Sequence, residues 1–92
     1  MTRIFLDDIR KAPDRSWITV RTYDQCTRIL SHVKHIDVIS LDYDLHELKT
    51  GYDVLVYMHE HDIVPDEILI HSTHYFGKER MMEYVRTYFP TM

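Results

Sequence analysis

The chain has 92 residues, 45% of them hydrophobic and 28% charged, with 15 acidic side chains against 11 basic ones and a net charge of −4. This length makes one domain, residues 1–92, with no room for a second. The acidic balance argues against a long nucleic-acid tract, which takes many phosphate contacts, and leaves a small anion or a single nucleic-acid end as the phosphate-bearing partner.

No apolar run approaches the roughly 20 residues of a membrane span. The first residues enter a strand with no basic and apolar leader pattern. The lone cysteine, Cys26, can form no internal disulfide. A cytoplasmic, reduced protein is the expectation.

Strand character begins at Arg3–Leu6, an apolar run stopped by Asp7 and Asp8. A loop with Arg10, Lys11, Pro13, Asp14 and Arg15 follows, then a second strand from Trp17 to Arg21. Asp24 is placed to cap a helix running to Lys34, in which Cys26, Ile29, Leu30 and Val33 make one apolar stripe. Cys26 on that stripe reads as core. The third strand, Val38–Leu41, ends in Asp42 and Asp44. Thr50 is placed to cap the next helix, whose buried stripe is Val54, Leu55 and Met58. Pro65 closes a turn, and Ile68–Ile70 delivers His71. Gly77 is expected to open the last helix, with Met81, Met82, Val85 and Tyr88 or Phe89 inward.

Short runs apolar on both faces are the pattern of a parallel sheet. Three of these strands end in acids or in His and Ser, at the carboxyl edge where open α/β sheets bind ligands. That convergence points to a site. Only Ile9–Ser16 join the first two strands, too few for a helical crossover, which takes at least about 10–12 residues. With the strand order 2-1-3-4 of doubly wound sheets, every helical crossover then runs the same way. Right-handedness puts all three helices on one face of the sheet. The loop around Trp17 and the Phe89-Pro90 tail are expected to cover part of the bare face, and a second copy of the chain the rest, as a homodimer.

Five motifs in this order and spacing carry a family resemblance: Phe5–Arg10 (FLDDIR), Arg21–Asp24 (RTYD), Ile39–Leu45 (ISLDYDL), Thr50–Asp53 (TGYD) and Ile70–Met81 (IHSTHYFGKERM). Over nearly its whole length the chain resembles the cyclic-phosphate processing receiver-like domains, an offshoot of the response-regulator receiver fold. The resemblance implies a small receiver-like (flavodoxin-like) α/β domain and processing of cyclic phosphates on RNA ends or nucleotide derivatives. Asp7, Asp8, Asp42, Asp44, His71 and Ser72 match the family pattern. Tyr43 stands where His is usual, and His74 where Asn is usual. In a true receiver Asp42 would be the phosphoacceptor and Asp7 with Asp8 the magnesium pair. The Lys of a fifth strand is missing, however, and Lys78 lies near a helix start instead, which argues against phosphorelay signalling.

Four carboxylates at one edge repel each other, and a divalent cation, magnesium or manganese, is the simplest remedy. Asp7, Asp8, Asp42 and Asp44 are therefore the candidate metal ligands. Asp42, His71 and His74 are the candidate catalytic groups, with His71 as the proton donor to a departing ribose oxygen. Arg10, Ser72 and Gly77 are the candidate substrate contacts, Gly77 because a helix start admits an anion. His32, His35, His59 and His61 read as solvated, and His46, in the loop after Asp44, is left unassigned. His71-Ser72-Thr73 fits the H-x-T element of two-histidine phosphoesterases, but no second such element exists. The leading expectation is a metal-dependent phosphoesterase acting on a nucleotide or RNA-end cyclic phosphate. The alternatives are a module that sequesters a phosphorylated signalling nucleotide and a receiver-like protein-interaction domain.

Overall fold

The computed structural model describes residues 1–90. In chain order the elements are β1 (Arg3–Leu6), β2 (Trp17–Val20), α1 (Tyr23–Leu30), β3 (Val38–Leu41), α2 (Gly51–Glu60), β4 (Glu67–Ile70) and α3 (Tyr75–Tyr88). The strands form one parallel sheet in the order β2-β1-β3-β4, the order expected from the sequence. The register aligns Ile4, Ile18, Ile39 and Ile68 across the sheet, and likewise Leu6, Val20, Leu41 and Ile70. Side chains in register share a face, and this one packs under the helices. Ile4, Leu6, Ile39 and Leu41 are fully buried there with Cys26, Leu30, Val54, Leu55, Met58 and Met81.

Local chemistry fixes the helix ends. α1 is capped by Thr22 and not by Asp24. The Thr22 hydroxyl accepts from the Gln25 N–H at 3.1 Å, and Asp24 sits inside the first turn. Either side chain can cap a helix; Thr22 holds the extended backbone that the cap position needs. α1 also stops at Leu30, four residues early, because the Ser31 hydroxyl and the His32 ring take the Arg28 carbonyl. Thr50 does cap α2, and the Asp53 carboxylate accepts in return from the Thr50 N–H at 2.7 Å. α3 begins two residues before Gly77, capped by His74. On α3 only Met81 of the expected inward residues is fully buried; Tyr88 is exposed.

The β1-to-β2 step runs against the helical crossovers, so the same handedness carries its loop over the face the helices leave bare. Arg3 holds that loop through Ser16 Oγ at 2.9 Å, and Arg21 holds it through the carbonyls of Asp7 and Arg10 at 2.9 and 2.6 Å. On this face Phe5, Val38 and Ser40 are buried. Trp17 meets Phe5 edge-on at 6.1 Å and covers it as expected. Phe89 does not join it: the ring packs on the helix side with His59, Tyr84 and the main core. α3 contacts α2 there, and its last turn follows the helix layer.

Gly51 joins β3, α2 and α3. A Cβ there would stand 1.9 Å from the Asp42 carbonyl oxygen and 2.8 Å from Met81 Cε. The first neighbour is backbone at the end of a buried strand and has nowhere to go. Gly51→Ala should therefore destabilise the fold by at least about 2 kcal/mol, at the upper part of the overpacking range. Urea unfolding checks this, and a wild-type midpoint would contradict the close approach.

Candidate active site

Strand alternation decides which residues meet at the carboxyl edge. Phe5 and Asp7, Ser40 and Asp42, and Leu69 and His71 each lie two apart, so they share the helix-free face of the sheet. His71 reaches from β4 across β3 to β1. Its Nδ1 lies 2.7 Å from Ser40 Oγ and its Nε2 3.0 Å from Asp7 Oδ2, while its ring stacks on Phe5 at 4.5 Å with the planes 4° apart. Both ring nitrogens are thus engaged inside the protein.

Asp7 is almost completely buried. Burial alone would raise its carboxyl. The N–H groups of Arg10 and Ile9, at 2.8 and 2.9 Å, and then His71 more than offset that and hold it below its ordinary value. Asp42 goes the other way. Burial, and then the negative charge of Asp7, raise it; hydrogen bonds from Ser72 and the Tyr43 N–H offset this only in part. Ligand atoms of Asp7, Asp42 and His71 lie within 4.8 Å of one another.

Asp8 and Asp44 stand apart from that group. His46 lies between them, with Nδ1 bonded to Asp8 Oδ2 and Nε2 3.8 Å from Asp44 Oδ2. The hydrogen bond to Asp8 and the charges of Asp44 and Asp8 raise the pKa of His46. Its backbone is left-handed, with φ 54°, a conformation uncommon outside glycine, and its N–H is held by Asp44 Oδ1 at 2.8 Å. The four acids expected as one cluster are therefore an inner pair and an outer pair.

All four acids line one cavity of about 460 Å³, with Ile9, Arg10, His46, Ser72, Thr73 and His74, a size ordinary for a small-molecule site. Neither His71 nor Gly77 lines it. The Gly77 N–H donates to His74 Nδ1 at 2.9 Å, and a Cβ on Gly77 would lie 2.3 Å from Tyr43 Cγ. Gly77 makes room for the Tyr43 ring; it offers no free anion donor. Because His74 Nδ1 accepts that hydrogen bond, a neutral ring carries its proton on Nε2, leaving a donor free. Ser72 is spent between Asp42 and the His74 N–H. Arg10 lines the cavity and donates to the His71 carbonyl at 3.2 Å. His46 and Thr73 were missed as site residues. Thr73 shares the loop of Ser72 and His74, which was the available signal; His46 had only its place two residues after Asp44.

The family model of the cyclic-phosphate processing receiver domain matches residues 2–87. The chain belongs to that family. No curated protein and no solved structure matches it. As a receiver-like domain of cyclic-phosphate processing it keeps the sheet, the strand order and the acidic edge, and among the described residues no helix is long and apolar enough to cross a membrane. The two positions that depart from the family pattern, Tyr43 and His74, are in contact, with ring centroids 4.8 Å apart.

The Asp42 shift has a signed consequence. A carboxyl raised on folding costs stability when ionised. The cost is absent below the unfolded value near 3.9 and complete above the raised folded value. Asp42→Asn removes the charge and keeps an oxygen for the Tyr43 N–H. At pH 7 in chelator this variant should melt a few degrees above wild type, and the gain should vanish near pH 3. A lower melting point at pH 7 would contradict the strain assigned to the Asp7–Asp42 pair.

Proposed function

We propose that the cavity binds the cyclic phosphate of a small nucleotide or RNA end through a divalent cation and opens it to a monoester. The observation that carries this is the inner pair. Asp7 and Asp42 sit side by side at adjacent strand ends, and among the described residues no Lys or Arg side chain pairs with either. A hard cation is the fitting neutraliser, since the donors that line this cavity are carboxylate oxygens, with Asp42 the more exposed of the inner pair. Asp7 and Asp42 would hold magnesium or manganese, with Asp8 and Asp44 as outer acids. Such an ion supplies Lewis acidity and a bound water of lowered pKa.

The chain's own residues then have separable tasks. His71 aims the Asp7 carboxylate through Nε2, and after the N–H groups of Arg10 and Ile9 it helps lower its pKa, so it serves as a positioning residue in place of the proton donor expected from the sequence. Arg10 offers a guanidinium to the phosphate from the cavity rim. His74 offers Nε2–H; protonating Nδ1 as well would break the helix cap, so it acts as a donor and not as an acid. In the reaction a water oxygen bonds to phosphorus and releases one proton to solvent in the open cavity, one ribose oxygen–phosphorus bond breaks, and that ribose oxygen takes a proton from the same solvent. A second reading is supported by the same hydrogen bonds. With His71 saturated and His74 used as a cap, neither is free as an acid, which favours binding without turnover.

Phosphorus NMR on a panel of nucleoside 2′,3′-cyclic phosphates with protein and magnesium separates these readings. New monoester signals are expected, lost in chelator and lost in Asp42→Asn, whose fold is retained. Shifted but intact signals would replace turnover by sequestration. A spectrum unchanged by the protein would overturn both.

A further inference from the structure

The outer edge of β4 is open. Among the described residues β4 pairs only with β3, and the N–H groups of Glu67 and His71 point inward to Asp37 and Leu41. Alternation therefore turns the N–H and C=O groups of Ile68 and Ile70 outward along the free edge. Beside that edge runs a trench walled by α3, of about 410 Å³, lined by Ile68, Leu69, Ile70, Met82, Val85 and two charged residues, Lys78 and Arg86. A second hollow of about 230 Å³ continues it past Pro65 and Phe89, sharing Ile68 and Val85. An unpaired strand edge beside an apolar trench is a template for strand addition.

Charge and spacing select the occupant. In a chain of net charge −4, both charged residues of the upper trench are basic. Arg86 has only a loose contact to Glu83, at 3.8 Å, and Lys78 has no ion pair among the described residues. Lys78 and Arg86 are eight residues apart on α3, or about 12 Å along the helix axis. Two residues at i and i+4 of an extended strand are about 13 Å apart and face the same way. The residue between them, i+2, would fall beside Met82, midway between the two bases.

We infer that the β4 edge and α3 form a docking site for an extended protein segment of the pattern acid-x-apolar-x-acid, which adds to the sheet as a fifth strand. The outward groups of Ile68 and Ile70 supply the main-chain hydrogen bonds. The trench takes the apolar side chain, and Lys78 and Arg86 take the two acids. This surface is separate from the acidic cavity, so it holds whether or not that cavity turns over a cyclic phosphate.

The test is a nitrogen–proton NMR titration of the whole chain with the capped synthetic peptide Thr-Glu-Thr-Val-Thr-Glu-Thr, and with a second peptide carrying Lys at both Glu positions. The acidic peptide should shift amides of β4 and of α3 from Lys78 to Arg86. The basic peptide should bind roughly tenfold more weakly, since rim charges set partner choice. In the double variant Lys78→Glu, Arg86→Glu the preference should reverse, which a folding defect would not produce. No shifts at about 1 mM peptide, equal binding of both peptides, or a dimer of the chain joined through β4 would overturn the proposal.

Discussion

The hydrogen bonds of one imidazole hold the site together. His71 leaves β4, passes Ser40 on β3 and ends on Asp7 of β1, so a single ring ties three parallel strands at their carboxyl ends. A hydrogen bond to a charged group contributes about 1.5–3 kcal/mol, more than a neutral one. Here it adds to the N–H groups of Arg10 and Ile9, which lower the Asp7 carboxyl more. Asp7 stays ionised although buried, and its charge then bears on Asp42, whose carboxyl rises. The acidity of one strand end and the discomfort of the next are two effects of one arrangement. A larger domain could afford several such contacts; in a chain this short the ring on Phe5 is also part of what closes the helix-free face.

That face shows how little is needed to finish a half-covered sheet. The missing helix between β1 and β2 is replaced by a loop pinned by Arg3 and Arg21 and by the Trp17 edge on Phe5. The centre of the face is consequently buried within one copy of the chain. The apolar surface left over lies at the margin: Leu69 on β4, and the flank of α3 beyond it. Beside it the β4 margin offers apolar side chains together with main-chain groups that no described strand pairs.

Much of this was legible in the sequence because parallel strands advertise themselves. Runs such as Val38–Leu41 are largely apolar and end in acids, and the short helix-free link between β1 and β2 dictated the side on which the helices lie. What the sequence obscured were directions. His71, at a strand end and near neutrality in its chemistry, read as a proton donor. In the folded chain Ser40 and Asp7 engage both of its ring nitrogens, a pairing of three strands far apart in sequence that no local pattern announces. Thr22 and Asp24 are both competent caps, and only backbone geometry chose between them. His46 depended on a left-handed backbone at a non-glycine residue, which local propensity argues against.

Tyr43, His74 and Gly77 are best understood as one unit. The Tyr43 ring fills the space above Gly77 that any side chain there would take, and it lies against the imidazole of His74. That imidazole in turn caps α3 through the N–H of the same glycine. A residue able to cap a helix from this position needs an acceptor within reach of the third helical N–H, a task open to Asn and His alike. What His adds is a second nitrogen, turned away from the cap and backed by an aromatic ring. Where the family has His and Asn, this chain has Tyr and His. His74 and the Tyr43 ring against it thus form one unit of the cavity wall: one imidazole nitrogen holds the helix start, and the other is turned away from it.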